Sequence, residues 1–228
     1  MATILLVETS TDCCSAAICK DDTVIAGMKE TAPKVHASRL VPMINDILEA
    51  TSLTMKQIDA VAVSGGPGSY TGLRVGVSTA KGLCFGAGKP LISVGTLDIL
   101  ASQGAHGKEH PDFIVPFIDA RRMEVYCAVY SGDGSRGSEV EAVILDENSF
   151  QSLLEQGKVL FTGTGVDKFA GIRPHPNAVF EESFPTAPYM AELAAKAYGQ
   201  KKFEDVAYFE PFYLKEFKPG ISKKSPLL

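Results

Sequence analysis

The sequence predicts an α/β fold made of two similar lobes in tandem, an internal duplication. Three observations lead there. A β-β-β-α-β-α-β order of apolar runs closes near residue 95, and past a polar break at 104–111 the pattern partly repeats. No low-complexity linker divides the two halves. The chain has 228 residues, 45% hydrophobic and 21% charged, enough for one sizeable core or two small ones. The first lobe is placed at 1–103, the second at 104–207, and a C-terminal segment at 208–228 is expected to pack back on the first lobe.

The elements follow in order. Thr3–Val7 is a continuous apolar run, a central strand. Glu8-Thr9-Ser10-Thr11-Asp12 turns the chain into Ser15–Cys19, and Asp21-Asp22 turns it again into Thr23–Met28, an antiparallel start to a sheet. His36–Ala50 is predicted helical. At about 100° per residue, Leu40, Val41, Met43, Ile44, Ile47 and Leu48 cover roughly 160°, wide enough to serve a core and a partner, and Pro42 suits its early turns. Ala60–Val63 is a short buried strand, Thr71–Phe85 a helix, Leu91–Val94 a strand and Asp98–Gln103 a short helix. In the second half, Phe113–Asp119, Glu124–Tyr130 and Glu139–Leu145 are strands, with a glycine-rich loop at 131–138. Ser149–Glu155 is helical, Val159–Thr162 a strand, Gly163-Thr164-Gly165 a loop, Pro188–Gly199 a helix and Ala207–Leu214 extended.

The stretch Ser64–Gly88 holds 8 of the 21 glycines within 25 residues. Gly65-Gly66-Pro67-Gly68 makes a turn of special backbone geometry, and Ser69 or Thr71 is available to cap the helix after it. Inside that helix Gly72, Gly76, Ala80 and Cys84 recur every four residues, a stripe that admits another backbone at close range. Leu73, Val75, Val77, Leu83 and Phe85 point around the circumference, so the helix is expected to be buried on all sides, in part by a partner. The loop lacks the Gly-Lys-Ser/Thr of a phosphate loop, and Gly72 comes one residue late for a dinucleotide fingerprint.

Bulk properties exclude some classes. A net charge of −5 makes no electrostatic case for holding nucleic acid alone, and the lysines at 215, 218, 223 and 224 are taken as a solvated tail. Five cysteines without C-x-x-C spacing point to a reducing compartment with buried thiols. The opening residues carry no basic leader and no run approaches membrane-spanning length, so a cytoplasmic protein with no membrane contact is expected.

Glu8-Thr9-Ser10-Thr11, His36 and the long motif from Ser64 through Arg74 to Lys81-Gly82-Leu83 closely resemble the bacterial TsaB (YeaZ) family. Asp119-Ala120-Arg121 before a Glu-Val-Tyr strand and Pro211-Phe212-Tyr213-Leu214-Lys215 add to the match, which is dense to about residue 100 and sparse between 131 and 200. The resemblance implies a duplicated fold of the actin-like ATPase and sugar-kinase superfamily (ASKHA, ribonuclease-H-like), two lobes of mixed sheet plus helices. It also implies a part in making threonylcarbamoyladenosine next to the tRNA anticodon, as a non-catalytic, degenerate paralogue of the transferase subunit TsaD. Such a chain binds and activates TsaD, with TsaE joining, forms a homodimer when alone, and meets tRNA only through the complex. The partner or dimer face is then expected at His36, Arg39, Leu40, Met43 and Ile47 of one helix and Gly72, Val75, Gly76, Thr79, Ala80 and Leu83 of the other. Where ASKHA ATPases begin with Asp-x-Gly-Thr this chain has Glu8-Thr9-Ser10-Thr11, an argument against ATPase competence. No cofactor is assigned, and Glu8, Ser10, Gly163 and Gly165 are the weak candidates for a nucleotide-side role.

Other motifs fit two readings each. His106 and His110 have the spacing of two metal ligands, yet Gly104 and Gly107 weaken any helix there and Asp112 is the only nearby candidate for a third ligand. Arg121 and Arg122 after Asp119 suit an anion between lobes or a structural Asp–Arg pair. An enzyme, either a kinase-like ATPase or a metallopeptidase of the glycoprotease-like family, is the alternative function; no G-x-S-x-G elbow supports a hydrolase.

Overall fold

The computed structural model describes residues 2–215; the lysines at 218, 223 and 224 and the rest of the tail beyond 215 lie outside the described residues. The first sheet contains β1 (Thr3–Glu8), β2 (Cys13–Lys20), β3 (Thr23–Thr31), β4 (Ala60–Ser64) and β5 (Leu91–Val94) in the order β3-β2-β1-β4-β5. β1 pairs antiparallel with β2 and parallel with β4, and β4 runs parallel to β5. Both faces of β1 are covered, which is why its apolar run is unbroken instead of alternating.

On one face of this sheet lie α1 (His36–Ala50) and α2 (Tyr70–Ala87), packed on Leu5, Val7, Cys14, Ala16, Val61 and Val63. Between them the chain makes a 3₁₀ turn at Met55–Gln57. On the other face Ile4, Leu6, Ala62 and Ile92 meet Ile99 of α3 (Thr96–Ala105) and residues 187–194.

The second sheet repeats the plan. It uses β6 (Phe113–Asp119), β7 (Glu124–Cys127), β8 (Tyr130–Ser131), β9 (Glu141–Ile144), β10 (Val159–Gly163) and β11 (Ala178–Glu182). The path β9-β7-β6-β10-β11 has the same parallel and antiparallel pairings as β3-β2-β1-β4-β5, so β6 is the counterpart of β1 and Asp119 of Glu8. The two-lobed duplicated fold is therefore present. Phe117, Phe161 and Phe180 pack with Leu154 of α4 (Gln151–Gln156) and Phe169 of α5 (Val166–Ala170). α6 (Ala191–Gly199) follows a 3₁₀ turn at Ala187–Met190, and the two cross back to cover the first sheet. α3 lies between the sheets, giving Leu97, Leu100 and Ala101 to the second core and Ile99 to the first.

Several elements differ from the sequence reading. The strand expected at Glu124–Tyr130 stops at Cys127: the Ser138 hydroxyl accepts from Val129 N at 2.9 Å, and Tyr130–Ser131 swings back to pair with β6. Ala207–Leu214 is irregular, not extended, because the Asp205 carboxylate accepts from Ala207 N and Tyr208 N and turns the chain. Pro42 lies in the second turn of α1 on its exposed side, where the Ser38 carbonyl it leaves without a helical donor belongs to an exposed residue that water can reach. Among the described residues no helix is long and apolar enough to cross a membrane.

The segment 204–215 lies along the first lobe. Glu204 bridges to Leu91, Lys81 Nζ donates to the Ala207 and Phe209 carbonyls at 3.0 Å each, and Phe212 N donates to Gly65 O at 2.7 Å. The Tyr213 ring lies tilted against Tyr70, centroids 4.9 Å apart, and Arg74 is placed over the Tyr70 ring. Lys215 then pairs with Glu124 of the second lobe.

Candidate functional site

The glycine-rich loop and α2 are folded around the β1–β2 turn. Ser69 N donates to Ser10 O at 2.7 Å, and Ser69 Oγ caps α2 by accepting from Gly72 N. A Cβ on Gly68 would stand 2.4 Å from Ser10 O, one on Gly72 2.1 Å from Thr9 O and one on Gly76 2.1 Å from Thr9 Oγ1. Thr9 Oγ1 in turn donates to Gly72 O at 2.9 Å, tying helix to turn. Gly66, at φ +104°, passes so near the 204–215 segment that a Cβ would stand 2.6 Å from Phe212 O.

This wrapping seals the turn. Glu8, Thr9 and Ser10 are fully buried. Glu8 Oε1 accepts from Ser10 N at 2.5 Å, while Glu8 Oε2 and Ser10 Oγ have no hydrogen-bond partner among the described residues. Burial pushes the Glu8 carboxyl up from its ordinary 4.5 to about 7, offset in part by the nearby Ser10 and Ser64 groups.

The equivalent turn of the second lobe is open. Asp119 Oδ1 accepts from Arg121 N at 2.5 Å and pairs with Lys168 at 2.7 Å, so the expected Asp–Arg ion pair is replaced by Asp119–Lys168. Gly163 and Gly165, both at positive φ, bracket Thr164, whose hydroxyl accepts from Asp119 N. Glu8 and Ser10 thus share one site and Gly163 and Gly165 belong to the other lobe's turn. His106 ends α3, with Nδ1 on Ser102 O at 2.8 Å and Nε2 on Glu192 at 3.1 Å.

The small-residue stripe needs correcting. Gly72, Gly76 and Ala80 are buried inside the lobe, with Gly72 and Gly76 against Thr9 and Ala80 in the core, so the close neighbour is the chain's own β1–β2 turn. On α1, Leu40, Met43 and Ile47 are each 1% exposed and form one face on the sheet, and His36 is buried beside them. With Ile44 and Leu48 they make the core part of the arc, and Val41 is the arc residue left outside it. At the surface remain Arg39, paired with Glu30 at 2.7 Å, and the half-buried Val75, Thr79 and Leu83. Beside them stand the most exposed large apolar groups of both helices, Val41 at 58% and Phe85 at 86%, which the expected interface residues did not include. Gly82 and Gly86 flank Phe85 with open space around them. A hollow of about 540 Å³ lies between this end of α2 and Asp205-Val206-Ala207.

Known proteins fit this arrangement. The family model TsaD, described as tRNA N6-adenosine threonylcarbamoyltransferase, matches residues 28–216. The tRNA threonylcarbamoyladenosine biosynthesis protein TsaB of Escherichia coli (strain K12) is 35% identical over 219 residues, 93% of this chain and 94% of its own. The chain belongs to the TsaB family. A second TsaB, from Haemophilus influenzae, is 34% identical and covers 93% of each chain. Among solved structures, YeaZ from Pseudomonas aeruginosa superimposes with a TM-score of 0.80 at 26% identity, over 94% of this chain and 100% of its own. In this TsaB-family chain the sealed glycine loop belongs to the first lobe, and the doubled sheet supplies one sheet to each lobe.

Proposed function

We propose that the chain is a non-catalytic subunit of the machinery that makes threonylcarbamoyladenosine in tRNA. It binds and activates a TsaD homologue, a TsaE homologue joins the complex, and the same face pairs two copies when the chain is alone. The outward side of α1 and α2 carries this reading. Phe85 and Val41 are large exposed apolar groups. Gly82 and Gly86 each cost the helix about 1 kcal/mol with no neighbour among the described residues to require them. A partner backbone lying on that side gives all four a role. The non-catalytic part is supported by Glu8, which occupies the position of the superfamily's first acid yet is enclosed beneath Gly68 and Gly72.

Size-exclusion chromatography with light scattering, on the chain alone and mixed with its TsaD homologue, tests the reading. A homodimer that gives way to a mixed complex is expected. Phe85→Asp should weaken both associations at least about tenfold, since burying a charge in an apolar contact is costly, with an unchanged melting temperature. Gly76→Leu and Ala80→Arg are expected to damage the lobe itself and are not usable as interface probes. A chain that stays monomeric and ignores TsaD, or a Phe85→Asp variant that assembles normally, overturns the assignment.

A further inference from the structure

We propose that the β6–β7 turn is a phosphate-binding site that takes the backbone of RNA, a contact of the chain's own that the −5 overall charge conceals. Arg121 and Arg122 are exposed and line a surface cavity of about 620 Å³ together with Met123, Ile144 and Lys215. Two carboxylates stand beside them, and both are already taken: Asp119 by Lys168 and Glu124 by Lys215. Among the described residues neither arginine side chain has a hydrogen bond or ion pair, which leaves two adjacent, uncompensated guanidinium groups. Arg39 and Arg136, by contrast, are paired with Glu30 and Asp98.

The backbone holds this presentation against its own preference. Arg121 and Arg122 are consecutive non-glycine residues at φ +72° and +51°, a conformation that costs on the order of 1 kcal/mol or more per residue. Bonds from Ala120 N to Glu124 O and from Glu124 N to Arg121 O close the turn, with Arg121 N on the Asp119 carboxylate. Those three N–H groups are therefore spent. A mononucleotide site draws heavily on free backbone N–H groups, whereas nucleic-acid backbone is held largely by side-chain charge on an open surface. Met123 and Ile144, 39% and 71% exposed, supply an apolar shelf next to the cations for a ribose or base. The duplicate turn in the first lobe is sealed and has no counterpart to this feature.

The test is fluorescence anisotropy of the full chain with an end-labelled single-stranded RNA across a salt series. Binding with a Kd of roughly 10–100 µM at low salt is expected, and two phosphate contacts on a single strand give a log–log salt slope near about −1.4. R121A/R122A should lose at least about tenfold in affinity and most of that slope, whereas R121K/R122K stays within about threefold. K20A/K108A removes the same charge from exposed positions elsewhere and should change binding less than about twofold. Circular dichroism melts check that all variants stay folded. Absence of binding by the unaltered chain, equal losses in the two alanine pairs, or full displacement of the RNA by ATP at low millimolar concentration would each overturn the proposal. R121A/R122A should still assemble with the TsaD homologue, so this test and the association test fail independently.

Discussion

Replacing Gly72 by alanine is expected to destabilise the protein by about 3 kcal/mol, while the same replacement at Gly82 is expected to stabilise it by about 1 kcal/mol. One methyl group, added twice to one helix, should act in opposite directions. At Gly72 the new Cβ would meet a carbonyl, Thr9 O, at 2.1 Å, and a backbone atom of a central strand's exit turn cannot swing aside as a flexible side chain does. Relief requires α2 to lift from β1. That movement would stretch the Thr9 Oγ1 to Gly72 O hydrogen bond and open the core beneath Leu73 and Val77. At Gly82 nothing among the described residues lies within 4 Å, so alanine brings only its better helix propensity. For a chain of this length, 1 kcal/mol moves the melting temperature by about 2–4 °C, so thermal denaturation should show a fall of roughly 6–12 °C for Gly72→Ala and a rise of a few degrees for Gly82→Ala. Small shifts of the same sign in both would mean that the turn and the helix are not in the contact described. A stabilised Gly82→Ala that binds its partner less well would tie that glycine to association.

The same stripe shows what the sequence conveys and what it withholds. Small residues at every fourth position announce a close approach, because nothing else justifies glycine inside a helix. They do not announce the neighbour, and Thr9 precedes Gly72 by 63 residues. The duplication was legible because continuous apolar runs and tight turns are local patterns, and each of the paired sheets begins with such a run. Long-range rearrangements were not. α3 is short and apolar on both sides, a pattern that fits a buried helix anywhere, and only packing places it between the two cores. Residues 187–199 return to the first sheet for the same non-local reason. Asp119-Ala120-Arg121-Arg122 pointed to an ion pair within the turn, yet Lys168, 49 residues later, holds the carboxylate and leaves the arginines to the surface. Phe85 belongs to an apolar circumference that suits core and partner together, and its sequence spacing says nothing about which side faces out.

Stability should fall as pH rises from about 5 to 8, and Glu8→Gln should remove most of that fall. The Glu8 carboxyl is enclosed, has one oxygen on Ser10 N and the other without a partner, and titrates near about 7 in the folded chain against 4.5 when exposed. Below 4.5 both states are protonated, and the group places no penalty on folding. Between 4.5 and about 7 the folded state binds more protons than the unfolded state, so the free energy of unfolding decreases with pH. Above about 7 the carboxylate is ionised in both states, and the full penalty of burying its charge, roughly 3 kcal/mol, is in place. The neighbouring thiols do not blur this window: burial raises Cys13, and it pushes Cys14 up to about 11. The Ser102 carbonyl raises the His106 imidazole above its ordinary value, so its stabilisation also fades as pH rises, but it is exposed, and its pair with Glu192 is a screened surface contact. Glu8→Gln keeps the shape and removes the proton, with the Ser10 and Ser64 hydroxyls near enough to receive the amide. Urea unfolding of both proteins at pH 5 and pH 8 isolates the term, since every other group cancels in the difference. The variant should be close to the unaltered chain at pH 5 and more stable by roughly 2–3 kcal/mol at pH 8. Parallel pH profiles would show that the carboxyl reaches solvent, and with it that the first-lobe turn is open enough to bind a ligand and not sealed by its glycines.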